Sequence, residues 1–322
     1  MRDEQRQAVL DNARYLQNVR PIDADEIYEY IDGQPHPAVV KQVLREEALG
    51  LNLREREDGT FVPAPDGPVD VSFDGITSFP ERYGRALEDV LVEEFGPGWP
   101  DGESGDTLRE RIRSFKSQYL DGAQVEYDRQ TALGYALYHL PAYYATAQYV
   151  LADLAADDCV PASPRMLDIG AGVGGPALGI DDLLPDESLV DYHAVEPSAA
   201  ADVFERLAEA TSQNFHPTIH RETAEEHEPE GTFDIILFGN VLSELDDPSA
   251  VVARYVESLA DDGSIVALAP ADRETAIGLR RIERTVERET CLNVYGPPVR
   301  LWPGQTPDSD SWSFDTQPDL DI

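Results

Sequence analysis

The stretch MLDIGAGVGG (166–175) limits the fold more than any other part of the chain. A short apolar run ends in a glycine-rich loop, and a helix-forming segment follows. Glycine turns the backbone tightly and lets it approach a ligand with no Cβ in the way. The helix beyond the loop offers free N–H groups at the positive end of its dipole. Such a unit needs parallel strands joined by crossover helices, and the downstream sequence supplies them. SLVDYHAVEP (188–197), HPTIHRE (216–222), FDIILFGNV (233–241) and GSIVALAP (263–270) read as four further strands. SAAADVFERLAEATSQ and PSAVVARYVESLADD read as helices between them. The expected fold class is α/β, a Rossmann-like doubly wound, mostly parallel sheet over 161–290.

The loop's acidic residue narrows the ligand. A dinucleotide loop has the spacing G-x-G-x-x-G and receives a pyrophosphate. Here Asp168 stands two residues before the first glycine, in the pattern D-x-G-x-G-x-G. An anion beside Asp168 is repelled, whereas the ammonium of a methionyl group is welcome. S-adenosylmethionine (SAM) is therefore the expected cofactor. Glu196 ends the second strand, where a carboxylate can accept hydrogen bonds from both ribose hydroxyls. The fourth strand ends in Asn240.

The 322 residues suit about two domains. Residues 1–65 read as a smaller N-terminal α+β domain, with helices over 2–19, 23–31 and 36–50. The last of these is expected to stop at Gly50. A hairpin around Asp58-Gly59 follows. Helices followed by a hairpin fit a winged helix-turn-helix, and a generic α+β cap fits equally. Residues 66–106, rich in Pro, Gly and Asp, read as a linker, 107–160 as a helical cap before the core, and 291–322 as a C-terminal extension.

The N-terminus lacks the apolar region of a signal peptide, and no apolar run approaches the roughly 20 residues of a membrane span. Two cysteines, Cys159 and Cys291, build no disulfide framework. The expectation is a cytoplasmic protein with no membrane partner. Asp and Glu number 63 against 25 Lys and Arg, for a net charge of −38, and the lysines are Lys41 and Lys116 alone. Acid spread along the whole chain, with lysine scarce and arginine retained, reads as halophilic adaptation to a salt-loaded cytoplasm. In such a solvent net charge does not veto a nucleic-acid partner. Arg109, Arg111, Arg113 and Lys116 form a basic island that reads as a solvated helix face, or as a phosphate contact.

Two flanking segments add a resemblance. GYALYHLPAYYATAQYVLADL (134–154) and FGNVLSELDDP (238–248) resemble the LP-x-x-YA and Leu-Ser-Glu-Leu signatures of the Rsm-type small-ribosomal-subunit methyltransferase-like family. The resemblance spans roughly 107–315. It implies SAM contacts at Asp168, Gly170, Ala171, Gly172, Gly174, Glu196, Pro197 and Asn240, with Glu222 or Thr223 near the adenine. It also implies that Pro141, Tyr143 and Tyr144 cap the cofactor pocket or face the acceptor. Tyr143 and Tyr144 are then the candidates for catalysis, although core aromatics under the sheet fit their spacing as well.

Many members of that family hold an iron–sulfur cluster in a cysteine-rich C-terminal region. Here VYGPPVRLWP (294–303) and DSWSFD (310–315) resemble that region, but Pro298 and Ser313 stand where cysteines are expected. A cluster needs about four thiolates, so none is expected here.

His216, His220 and His227 are read as surface or edge residues, with no metal site expected. Arg280, Arg284 and Arg288 form a helical stripe beside Glu283 and Glu287, which are expected to pair with it. The resulting expectation is a SAM-dependent methyltransferase-like protein acting on rRNA or in assembly of the small ribosomal subunit. The alternatives are a non-catalytic SAM-binding ribosome- or RNA-docking factor, and a small-molecule methyltransferase with the N-terminal domain as its lid.

Overall fold

The computed structural model describes residues 1–120, 127–270 and 273–296. Pro298, Ser313 and most of the C-terminal extension therefore lie outside the described residues.

The N-terminal domain runs α1 (Asp3–Leu16), α2 (Ala24–Ile27), α3 (Pro37–Glu46), α4 (Ala48–Leu51), β1 (Leu53–Glu55) and β2 (Phe61–Pro63). The two strands pair antiparallel around the Asp58-Gly59 turn. Gly50 does not stop the third helix as expected. The chain kinks at Glu47, adds the short α4, and turns at Asn52, whose φ of 52° is left-handed. Asparagine tolerates that conformation because its short side chain can bond locally. On α3, Lys41 and Arg45 both bond Glu55, at 2.7 and 2.6 Å. These two cations are turned inward, toward a buried carboxylate.

The stretch read as a linker contains α5 (Glu81–Phe95), a 15-residue amphipathic helix. Tyr83, Leu87, Val90 and Leu91 bury its apolar face. Flanking prolines and glycines hid the helical period. After it come α6 (Gly102–Leu120) and α7 (Arg129–Ala156). In the basic island, Arg109 bonds Asp106, Arg111 bonds Asp128, and Lys116 bonds the Tyr138 hydroxyl. Three of the island's four cations are thus paired, and Arg113 is exposed.

The core follows as β3 (Arg165–Ile169), α8 (Gly175–Leu183), β4 (Val190–Val195), α9 (Ala200–Ala208), β5 (Phe215–His220), β6 (Phe233–Gly239), α10 (Pro248–Val256), β7 (Leu259–Leu268) and α11 (Arg273–Glu289). LADD (259–262), read as the tail of a helix, opens β7 instead. All five strands are parallel, in the order β5-β4-β3-β6-β7. The order reverses beside β3, and open α/β sheets bind ligands beyond the carboxyl ends of strands at such a switch point.

Alternation along the strands feeds two cores. Met166, Tyr192, Ile235 and Leu237 face α7 and α8, with Leu151 and Ile180. Leu167, Ile169, Ile236 and Phe238 face α10 and α11, with Val252, Tyr255 and Ile282. Helices thus cover both faces of a Rossmann-like sheet.

α7 and α8 cross closely at two glycines. A Cβ on Gly179 would lie 2.3 Å from the Tyr144 carbonyl oxygen, and one on Gly175 would lie 2.7 Å from the Tyr143 Cβ. Inside α7, Pro141 lacks the N–H that would bond the carbonyl of Leu137.

The N-terminal domain packs at the amino ends of the strands. The backbone N–H of Glu55 donates to the Asn214 Oδ1 at 2.8 Å, and the Asn214 amide donates to the Glu55 carbonyl at 2.9 Å. Asn214 immediately precedes β5. Leu189, just before β4, packs with Ala48 and Ala64, and Ser163, just before β3, bonds the Pro65 carbonyl. A lid over the carboxyl ends is therefore not what this domain forms.

Candidate active site at the carboxyl edge of the sheet

The glycine loop is built against the second strand of the sheet. The N–H groups of Gly170 and Ala171 donate to the Val195 carbonyl, at 2.9 and 3.2 Å. Gly174 has φ 86°, and a Cβ there would lie 2.1 Å from the Phe204 ring. Gly172 also has positive φ, but its Cβ position meets nothing within 4 Å. Its open side is room for a ligand, and its N–H donates to the Glu196 Oε2 at 2.8 Å. The other carboxylate oxygen of Glu196 accepts from the Ser198 N–H at 2.9 Å. Two backbone donors thus fix the Glu196 carboxylate at the end of β4 and leave lone pairs for hydroxyl donors.

Asp168 lies beneath the loop, fully buried, and does not line the cleft described below. The Tyr192 hydroxyl donates to its Oδ2 at 2.6 Å, while its Oδ1 has no partner. Burial pushes its carboxyl up to about 7; the Tyr192 bond opposes that and the nearby Glu196 charge adds to it. An orphaned carboxylate oxygen costs folding free energy, and a cationic ligand head beside the loop would offset that cost. Oriented Glu196, open Gly172 and orphaned Asp168 together fit a ligand carrying hydroxyls and a cationic head, as SAM does.

The remaining expected contacts divide. Pro197 is exposed beside Glu196. Asn240 sits just past β6 with a left-handed φ of 62° and lines the cleft. Glu222 bonds the His227 Nδ1 at 2.9 Å, and the Thr223 hydroxyl accepts from the Glu226 N–H.

A cleft opens between α7, the glycine loop and the ends of β6 and β7. Tyr135, Tyr143, Gly172, Pro176, Asn240 and Leu268 line it. The Tyr135 hydroxyl donates to that of Tyr143 at 2.9 Å, and His139 stacks on the Tyr143 ring. Burial, with Lys116 nearby, lowers the His139 imidazole to about 4, so the stack is neutral. Tyr143 thus reaches the site. Tyr144 does not: it is buried on the far side of α7, where its hydroxyl donates to Asp182 at 2.6 Å. Successive helical residues point about 100° apart, so these two neighbours could not share a role. Pro141 is buried in α7 and does not line the cleft.

Sequence reasoning missed Glu244, inside the quoted Leu-Ser-Glu-Leu segment. Its carboxyl accepts a hydrogen bond from Tyr127 and lies in the field of Glu196. The residue is exposed at the surface, but the protein beside its carboxyl pushes it up to about 7; Glu196 adds to the rise and Tyr127 opposes it.

The histidine reading also needs correcting. His227 is buried rather than at the surface, and its ring packs 4.5 Å from that of His220. His220 in turn lies 3.0 Å from the His193 Nδ1. Adjacent parallel strands bring these rings together, which spacing along the chain does not show. Among the described residues no group of His, Cys, Asp and Glu is arranged to hold a metal ion, and no helix is long and apolar enough to cross a membrane.

Comparison with known proteins agrees with this architecture. Residues 167–265 match a family described as a methyltransferase domain. Residues 6–57 match the N-terminal domain of a family described as a domain of unknown function (DUF8157). No curated protein matches the chain. Among solved structures, a candidate SAM-dependent methyltransferase from Methanococcus maripaludis is 14% identical over 52% of this chain and 74% of its own, with a TM-score of 0.39. The plantazolicin methyltransferase BpumL, in complex with a monoazolic desmethylPZN analog and SAH, is 14% identical over 58% and 60%, with a TM-score of 0.37. A candidate O-methyltransferase from Nostoc punctiforme is 14% identical over 89% and 83%, with a TM-score of 0.36. Likenesses this faint bear on no substrate. The matched domain and the sheet order make the core a class I SAM-dependent methyltransferase fold.

Proposed function

We propose that this chain transfers a methyl group from SAM to an acceptor that enters the tyrosine-lined cleft. The observation that carries the proposal is that one cleft is bounded both by the glycine loop with Asn240 and by the Tyr135–Tyr143 wall. Glu196 would hold the ribose, Gly172 and Asn240 would face the bound nucleoside, and Asp168 would answer the ammonium through the field beneath the loop. SAM supplies a methyl already activated by its sulfonium, so the chain's main tasks are proximity and orientation. The apolar side chains of Pro176 and Leu268 help to keep water from the reacting atoms.

Calorimetric titration with SAM tests this, at low salt and in molar KCl, with Glu196→Ala as the control. Losing two charge-assisted hydrogen bonds should weaken binding by about 10- to 100-fold. A wild-type chain that binds no SAM overturns the proposal.

A second reading concerns the acceptor. The resemblance of 134–154 and 238–248 to the ribosomal methyltransferase-like segments supports rRNA, or assembly of the small ribosomal subunit. On that reading the chain co-sediments with small subunits or their precursors, and its deletion removes a methyl mark from rRNA. Defective assembly with an unchanged methylation map would favour a non-catalytic docking factor that binds SAM. The paired cations of α3 and α6 support a small-molecule acceptor instead.

A further inference from the structure

Glu244 is an exposed residue on the turn that follows β6 and the cleft-lining Asn240. Its backbone N–H closes a turn onto the Val241 carbonyl at 2.9 Å, just past β6. The left-handed φ of Asn240 starts that turn. Three tyrosines interact with its carboxyl. Tyr127 bonds it, and Tyr135 and Tyr143 lie within its field. The tyrosine rings form one wall: Tyr127 meets Tyr135 edge-on at 5.4 Å, and Tyr135 meets Tyr143 at 5.9 Å. Glu196, on the cofactor side, is the other charged group that acts on it.

One cation, Lys116, acts on the back of the tyrosine wall through His139, and it is bonded to the Tyr138 hydroxyl at 2.8 Å. Among the described residues no Lys or Arg lines the cleft, while the tyrosine rings line it, Glu196 bonds its lining residue Gly172, and Glu244 bonds Tyr127. A carboxylate or phosphate acceptor would be repelled, and a cation is attracted to ring faces. We propose that Glu244, Tyr127, Tyr135 and Tyr143 form the methyl-acceptor subsite, that it takes an amine, and that the Glu244 carboxylate receives the amine's proton. This rests on the methyl-transfer reading above.

An ammonium gives one proton to the Glu244 carboxylate and becomes a neutral amine. Its nitrogen lone pair attacks the methyl carbon, forming the N–C bond as the S–C bond breaks. The S–C electron pair stays on sulfur, which becomes a neutral thioether. The product leaves as the N-methylated ammonium, and Glu244 returns its proton to solvent. Because the surroundings hold Glu244 near 7, the carboxylate is present above that pH and the rate should fall below it.

The test uses the full chain and SAM carrying a labelled methyl group. Spermidine and phenethylamine serve as amine probes, catechol as a hydroxyl probe and salicylate as an acid probe. Label should appear on an amine and not on salicylate. Glu244→Gln should lower kcat by about 100-fold or more, the range for a lost general base, and should abolish the acid limb of the pH profile. SAM affinity of that variant, measured by calorimetry, should stay within about threefold, since an ion pair across solvent is weak; this also shows that it folds. Tyr143→Phe should raise the KM for the amine more than it lowers kcat. A wild type that binds SAM yet labels no amine overturns the inference, as does a Glu244→Gln enzyme that keeps its rate and acid limb. A wild type that binds no SAM sinks the methyl-transfer reading instead.

Discussion

Asp168 places an ionisable group where water does not reach, with one oxygen bonded to Tyr192 and the other bonded to nothing. An unfolded Asp carboxyl titrates near 3.9, whereas this one sits at about 7 in the folded chain. Between those values the native state holds a proton that the unfolded state has lost. Stability from this group is therefore full below about pH 4, declines as pH rises toward 7, and is flat above. At about 1.4 kcal/mol per pKa unit the decline is on the order of 4 kcal/mol at most. Thermal melts of Asp168→Asn should lack this decline and show a higher Tm than wild type at pH 8 without SAM. A variant that melts lower than wild type at pH 8 would contradict the account.

The histidine chain obeys the opposite sign. Burial, with His227 and His193 nearby, lowers the His220 imidazole, so acid below its ordinary range must charge a crowded group and destabilise the fold. His220→Gln should flatten that acid limb in melts between pH 4 and 6.

At the scale of elements, the α7–α8 crossing governs how closely the cleft's two walls approach. A Cβ on Gly179 meets backbone, which cannot rotate away as a side chain can. Gly179→Ala should cost about 2 kcal/mol or more in urea unfolding, and should shift Tyr143 relative to the glycine loop, raising the KM for SAM. A neutral result would mean that the helices slide freely.

The same elements show what could be read beforehand. Four of the five strands were legible as short apolar runs between helical segments, β5 (HPTIHRE) more weakly, and the glycine loop identified the cofactor edge. Helix α5 was not, because Pro80 and Gly96 bound it within a segment of loop-like composition. Tyr143 and Tyr144 looked alike in sequence, and the turn of the helix separated their roles. Glu244 was on view in its motif, but its meaning depends on Tyr127 and Tyr135, more than a hundred residues away, which only the packing of α7 against the sheet edge brings near.

At the scale of the molecule, a charge of −38 on 322 residues is self-repulsive. Salt shortens the Debye length to about 3 Å at 1 M, so Tm should climb as KCl rises from 0.1 to 2 M. A flat response in scanning calorimetry would show that the acidic surface is neutral to folding. The buried Glu55, bonded to Lys41 and Arg45 and joined through its backbone to Asn214, ties the N-terminal domain to the core. Wild type should therefore unfold in one transition, and Asn214→Ala, which strands buried backbone groups of Glu55, should cost about 2 kcal/mol or split the melt in two.

The seat of that domain has a geometric result. Six residues of parallel strand span about 20 Å, and the hairpin and the cleft lie at opposite ends of that span. Whatever the N-terminal domain grips is held a full sheet length from the methyl group. A small acceptor would never touch both ends. A large one would be marked at a fixed reach from where it is grasped, as with a ruler whose zero is the β1–β2 hairpin.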